Sequence, residues 1–114
     1  MLKFNNIIYS INETEKIAIV IGNDSAVGSV LIPRSINFNN QEFIVTRIQK
    51  KSFQDSKVTS IEFPSNSELR VIEGKSFSNS TIESITIPSS VSELQEEWCH
   101  KTSKLININL HHNN

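Results

Sequence analysis

A chain of 114 residues is long enough for one domain and too short for two of ordinary size. Its 37% hydrophobic and 20% charged residues argue against a disordered tail and against a membrane segment. A formal net charge of −1, with Lys and Arg scattered, argues against a nucleic-acid partner.

Ile is abundant and Ala nearly absent, which favours strands over helices. Cys99 is the only cysteine, so no internal disulfide framework exists. The start, Met1-Leu2-Lys3-Phe4-Asn5-Asn6-Ile7-Ile8, lacks the pattern of a secretory signal, and no run is long enough to span a bilayer. The expected address is the cytoplasm or a cytoskeletal association, or the cell surface if the sequence is a piece of a longer protein.

In chain order, Ile7 to Ile11 and Ile17 to Ile21 are strand-like runs, and Asn12-Glu13-Thr14-Glu15 between them reads as a turn. Ile17, Ile19 and Ile21 share one face of the second run, which Gly22-Asn23-Asp24-Ser25 ends. Residues 7–21 read as a β-hairpin. Residues 7–26 then form a cap that shields the first end of a stack from water.

Val27-Gly28-Ser29-Val30-Leu31-Ile32-Pro33 follows, with apolar residues at positions 1, 4 and 6 before Pro. The spacing returns at Val58, Ile61 and Phe63 before Pro64, and at Ile82, Ile85 and Ile87 before Pro88. A fourth copy is Leu105, Ile108 and Leu110, followed by His111. A period near 24 residues means stacked repeats, here over residues 27–110, with residues 111–114 as a tail. Positions 4 and 6 alternate into one interior, and position 1 enters it from the preceding bend. Pro lacks a ladder donor, so it ends the strand and turns the chain.

A second row lies between these strands. Val45 and Ile48, Leu69 and Ile72, and Val91 and Leu94 are i, i+3 pairs, each followed by a ring: Phe53, Phe77 and Trp98. They read as the opposite wall of each coil and its filler. Ile48-Gln49-Lys50-Lys51-Ser52-Phe53 is echoed by Ile72-Glu73-Gly74-Lys75-Ser76-Phe77. The longer step from Pro33 to Pro64 takes in Phe38-Asn39-Asn40-Gln41-Glu42, a polar loop that Ile36, Phe43 and Val45 flank as a small hairpin. The best short helix candidate is Ser92-Glu93-Leu94-Gln95-Glu96-Glu97-Trp98, with acids in its first turn.

The order Ile-x-Phe/Ile-Pro, Leu-x-x-Ile, Lys-Ser-Phe, Val/Ile-x-x-Ile resembles the BspA-like class of leucine-rich repeats over roughly residues 8–110. The family usually has Gly where Gln49 and Glu73 stand, and the last copy lacks its Pro. The resemblance implies a mainly β solenoid of three to four coils with an N-terminal hairpin cap. It also implies a non-catalytic module that binds another protein and needs no cofactor.

In such a coil, positions 2, 3 and 5 point outward and make one strip. It holds Gly28, Ser29 and Leu31; Thr59, Ser60 and Glu62; Glu83, Ser84 and Thr86; and Ile106, Asn107 and Asn109. The residues from Thr59 onward are the candidate partner-binding set; the bland reading is a solvated sheet face. Glu62 and Glu83 occupy different slots, so they do not make a tuned carboxylate pair. Cys99 and His100 are adjacent, without the spacing of a metal site or an orienting group for a nucleophile, so Cys99 is expected to be buried beside Trp98. His111 and His112 read as a polar tail. Asn12, Asn23 and Asn79 fit the glycosylation pattern, which an Asn- and Ser-rich chain meets readily. At the C-terminal coil a thin cap leaves room for an end-to-end or assembly contact.

Overall fold

The computed structural model describes residues 1–110. At the N-terminus β1 (Leu2–Phe4), β2 (Ile7–Asn12) and β3 (Ile17–Asn23) form an antiparallel meander. The β2–β3 turn has a local cause: Asn12 Oδ1 accepts hydrogen bonds from the backbone N–H groups of Thr14 and Glu15, each at 3.0 Å.

After the meander the chain winds into a solenoid of about four turns. β4 (Val27–Leu31), β7 (Lys57–Glu62), β9 (Ser84–Ile87) and β11 (Asn107–Leu110) make one parallel four-stranded sheet, in the order β11-β9-β7-β4. Facing it, β3 pairs in parallel with β6 (Gln41–Ile48), β6 with β8 (Val71–Ile72), and β8 with β10 (Glu93–Leu94). β2 and β1 extend this second sheet beyond β3. β5 (Ser35–Phe38) pairs antiparallel with the first half of β6, across Asn39 and Asn40 at φ 52° and 61°. Asparagine tolerates those angles, so the extra residues between Pro33 and Pro64 form a tight hairpin.

Register shows why the spacing repeats. Ile61 pairs with Ile85, and Ile85 with Ile108. Ile61 and Ile85 are buried, as are Ile82, Ile87, Val58 and Ile32. On the opposite wall Val45, Ile48, Leu69, Val71 and Ile72 are buried too. Each such aliphatic side chain contributes roughly 1.5–3 kcal/mol by leaving water.

The bends stack as well. Phe53 N–H donates to the Ser76 carbonyl at 2.7 Å, and Phe77 N–H to the Trp98 carbonyl at 2.9 Å. Lys51, Lys75 and Glu97 share one left-handed position of the bend, and Asp55, Asn79 and Lys101 another. Ser52 Oγ donates to the Gln49 carbonyl at 2.6 Å, inside its bend. The rings stack in file: Phe53 and Phe77 are parallel at 5.1 Å, and Trp98 meets Phe77 edge-on at 6.2 Å.

Three expectations need correction. Val27 is 64% exposed, and Ala26 is buried instead. A register shift between Gly28 and Ser29, with Gly28 at φ 70°, sets Gly28 rather than Val27 opposite Val58. Residues 92–98 form no helix. Glu93 and Leu94 pair with Val71 and Ile72, Gln95 N–H donates to the Ile72 carbonyl at 3.0 Å, and Glu97 has φ 63°. Ladder bonds to the coil below take the backbone groups that a helix would use. Leu94 is 40% exposed, so the last coil's second wall is not closed. In β3, Ile17, Ile19 and Ile21 do share one face, which is half-buried, and the opposite face of Ala18 and Val20 turns to the core. The tail of residues 111–114 lies outside the described residues.

Tyr9, the only tyrosine, is 1% exposed, and burial pushes its phenol up to about 12 from 10.0. A raised folded value means that the stabilisation is intact below pH 10 and is lost as pH rises from 10 toward 12. The loss amounts to about 3 kcal/mol in all. Phenolate absorbance is therefore expected to lag well behind that of a free tyrosine until the protein unfolds. Ionisation near pH 10 in the folded protein would contradict this burial.

Candidate interaction face

The outward side of the four-stranded sheet is built as the repeat spacing requires. Register aligns Ser29 with Ser60, Ser60 with Ser84, and Ser84 with Asn107, one small polar residue from each coil. Ser60 Oγ donates to Ser29 Oγ at 2.9 Å, and Ser29 Oγ donates to Glu62 Oε1 at 3.0 Å. These bonds fix the hydroxyls across strands. Thr59 and Ser84 are half-buried; Glu62, Glu83, Thr86 and Asn109 are exposed. Asn107 joins the ladder through its backbone pairing. Ile106 is 77% exposed, and Leu31 on the first strand 55%. The strip thus runs from one exposed apolar side chain to another across a bed of short polar groups.

Glu62 and Glu83 do not converge. Glu62 lies one residue past the paired rungs Ser60–Ser84 and Ile61–Ile85, and Glu83 one residue before them, its N–H donating to the Thr59 carbonyl at 2.7 Å. Cys99 is half-buried near the ring file, and burial pushes its thiol up despite the Thr102 hydroxyl beside it. A raised thiol is the reverse of what a nucleophile needs. His100 lies 3.7 Å from Glu97 on the surface. Among the described residues no three His, Cys, Asp or Glu side chains form a metal-holding group.

One charged group is set apart from the surface pairs. The Glu73 side chain is 15% exposed and accepts from Arg47 Nη1 at 2.6 Å and from Lys50 N–H at 3.0 Å. Burial alone would raise its carboxyl, but the two hydrogen bonds and the nearby positive charges outweigh it. Glu73 sits below the ordinary 4.5. A lowered folded value gives stability that is present above pH 4.5 and lost as pH falls through the folded value. Glu73→Gln is therefore expected to flatten the acid limb of a plot of melting temperature against pH. An unchanged acid limb would show that the Arg47 contact contributes nothing.

Two features lay outside the reading of the strip. Ile8, Ile17, Ile19, Ile21 and Ile44 lie half-buried on the cap-bearing sheet. The near-continuous apolar runs Ile7-Ile8-Tyr9 and Ile17 to Ile21 carry the signal, since such runs mark strands with cover on both faces. At the last coil Leu94, Ile108 and Leu110 are 40%, 49% and 56% exposed. Beside them a groove of about 300 Å³ is lined by Ile87, Pro88, Val91, Leu94 and Leu110 together with the polar Ser89, Ser92 and Glu93.

Comparison with known proteins gives the following. A family profile described as "BspA type Leucine rich repeat region (6 copies)" matches residues 28–114. No curated protein sequence matches the chain. The crystal structure of the pneumococcal vaccine antigen PcpA is similar at 21% identity and a TM-score of 0.69, covering 96% of this chain and 38% of that one. A leucine-rich repeat protein from Bacteroides capillosus ATCC 29799 is similar at 18% identity and 0.57, covering 97% and 98%. Another, from Bacteroides ovatus ATCC 8483, is similar at 17% and 0.52, covering 95% and 40%. The chain spans less than half of two of these three structures, and at such identities the likeness is one of fold.

Proposed function

Because the chain belongs to the BspA-type leucine-rich-repeat proteins, we propose that it is a non-catalytic interaction module that holds a partner protein against its four-stranded sheet. The observation that carries this reading is the strip itself. Thr59, Ser60, Glu62, Glu83, Ser84, Thr86, Ile106, Asn107 and Asn109 follow one another across coils in fixed register. Short side chains on a rigid sheet lose little freedom when covered, so less of the contact energy is spent on ordering. Exposed Leu31 and Ile106 offer an apolar grip at each end, and Glu62 and Glu83 favour a partner with basic or amide side chains there.

Photo-cross-linkers at Thr59, Glu83 and, as a control, Ser10 on the other sheet test this in extract of the source cell. One protein captured at Thr59 and Glu83 but not at Ser10 supports the strip. Equal capture at Ser10, or none at the strip, refutes it. A second reading, permanent placement in a larger assembly such as a cytoskeletal lattice, draws on the exposure of Leu94, Ile108 and Leu110 among the described residues. It predicts that the protein co-purifies with that assembly and loses stability when released.

A further inference from the structure

Two successive turns of the solenoid differ in length. Ile85 follows its ladder partner Ile61 by 24 residues, but Glu93 follows its partner Val71 by only 22. The stretch that Pro64 opens is therefore two residues longer than the stretch that Pro88 opens in the next coil. Both begin alike: Ser67 N–H donates to the Pro64 carbonyl at 3.0 Å, and Val91 N–H to the Pro88 carbonyl at 3.1 Å. Further on they are tied together, where Ser90 Oγ donates to the Leu69 carbonyl at 2.6 Å. Turns of unequal length cannot stack residue on residue, and a notch remains between them.

The notch has a volume of about 40 Å³. Three rings line it, Phe63, Pro64 and Pro88, together with four hydroxyl side chains, Ser65, Ser67, Thr86 and Ser89. Phe63 is the odd residue of its row. In its slot the neighbouring coils carry Ile32 and Ile87, 1% and 3% exposed, whereas Phe63 is half-buried. Its side chain packs against the core and also reaches the notch. Thr86 is an exposed member of the outward strip, so the notch opens beside that strip.

Size and charge decide what fits. A volume of 40 Å³ is close to the ~30 Å³ that one water takes in the liquid, and far below the ~150 Å³ of a cavity that holds benzene. An aromatic side chain is too large for it, and a short aliphatic one is not. None of the seven lining residues is charged, so a charge inserted there would lose its water without compensation. Just outside, Glu62 precedes Phe63 and is exposed. Its carboxylate accepts from Ser29 Oγ, and among the described residues no cation pairs with it. Glu68, on the other flank, is engaged by Arg34. The acid left for a partner beside Phe63 is thus Glu62.

Resting on the strip as the binding face, we propose that this notch is its anchor point. The partner is an extended protein segment that sets one short aliphatic side chain, valine-sized or smaller, between Pro64 and Pro88, next to a Lys or Arg that pairs with Glu62. A side chain held in a pocket fixes the register of a partner that a flat strip alone would let slide.

A random heptapeptide library displayed on phage and selected on the immobilised full chain reads this chemistry directly. The expected consensus is Ala, Val or Pro beside Lys or Arg. In fluorescence anisotropy a synthetic peptide of that consensus is expected to bind Ser89→Trp, whose indole fills the notch, at least about tenfold more weakly. Glu62→Gln is expected to weaken the same peptide severalfold, and to leave unchanged the binding of a peptide whose basic residue is replaced by glutamine. Ser89 is exposed, so the Trp variant is expected to fold; Ser65→Trp takes its place if circular dichroism shows otherwise. A consensus built on an aromatic or acidic residue, no consensus at all, or equal binding by the folded Trp variant overturns the proposal. Photo-cross-linking at Thr59 and Glu83 separates it from the strip reading. Capture there without this consensus sinks the notch alone, and the consensus without capture there sinks the strip reading and leaves the notch standing.

Discussion

Phe77→Ala is expected to cost about 3–5 kcal/mol of folding stability. Phe77 is fully buried and is the middle ring of the file, stacked on Phe53 on one side and met by Trp98 on the other. Cutting it to a methyl group loses the transfer energy of the ring and opens a cavity that the hydrogen-bonded bends resist closing. Phe77 N–H and the Ser76 carbonyl both hold neighbouring coils, so the backbone cannot readily sink into the gap. A loss of this size is a large share of the margin of a small domain. Urea unfolding followed by circular dichroism checks it, with Phe77→Leu expected to cost much less. A loss below about 1 kcal/mol for the alanine variant would place Phe77 outside a packed interior.

Ile61→Ala and Ile85→Ala are each expected to cost about 2–5 kcal/mol. The two residues are register partners on adjacent strands, both 2% exposed. Neighbours that share one packed column do not respond independently. The double variant should therefore differ from the summed single losses by roughly 0.5–3 kcal/mol. Strict additivity would mean that the side chains do not touch. Ile106→Ala makes a useful contrast: its side chain is 77% exposed, and the change should fall within about 0.5 kcal/mol.

Much of this architecture was legible because a coil cannot bury its own apolar side. Any sequence that solves the problem by stacking must return aliphatic residues to the same slot, as Val58, Ile82 and Leu105 and then Ile61, Ile85 and Ile108 do. Pro64 and Pro88 mark where the chain turns, and the ladder pairing of Ser60 with Ser84 follows from that phase. The Asn39-Asn40 turn was legible from residue chemistry as well.

What escaped the sequence depended on a partner strand or on a shift of one residue. The Gly28 bulge exchanges Val27 for Ala26 in the interior, and spacing alone cannot reveal an inserted residue. Residues 92–98 carry an acidic first turn that suits a helix, yet the coil beneath offers Ile72 and Val71 as ladder partners. Tertiary pairing overrides local preference there. In β3 the isoleucines outnumber the smaller residues, but Ala18 and Val20 face the core, because bulk alone does not say which side is covered.

The interaction strip was legible as a set of outward positions but not as a site. Ser29, Ser60 and Glu62 are joined by hydrogen bonds across strands, which require the register and not just the order of residues. Ile106 stood out as apolar in a polar row. Its counterpart at the other end, Leu31, became comparable only when β4 and β11 took their places at the two edges of one sheet.

Methyl-to-methyl nuclear Overhauser contacts in a sample labelled at isoleucine δ1 test most directly whether successive coils share one apolar column. Adjacent strands lie about 4.8 Å apart, so cross-peaks are expected between Ile61 and Ile85 and between Ile85 and Ile108. None is expected between Ile61 and Ile108, two strands apart. Missing contacts between either neighbouring pair, or a strong one that skips Ile85, would contradict the stacked-coil account.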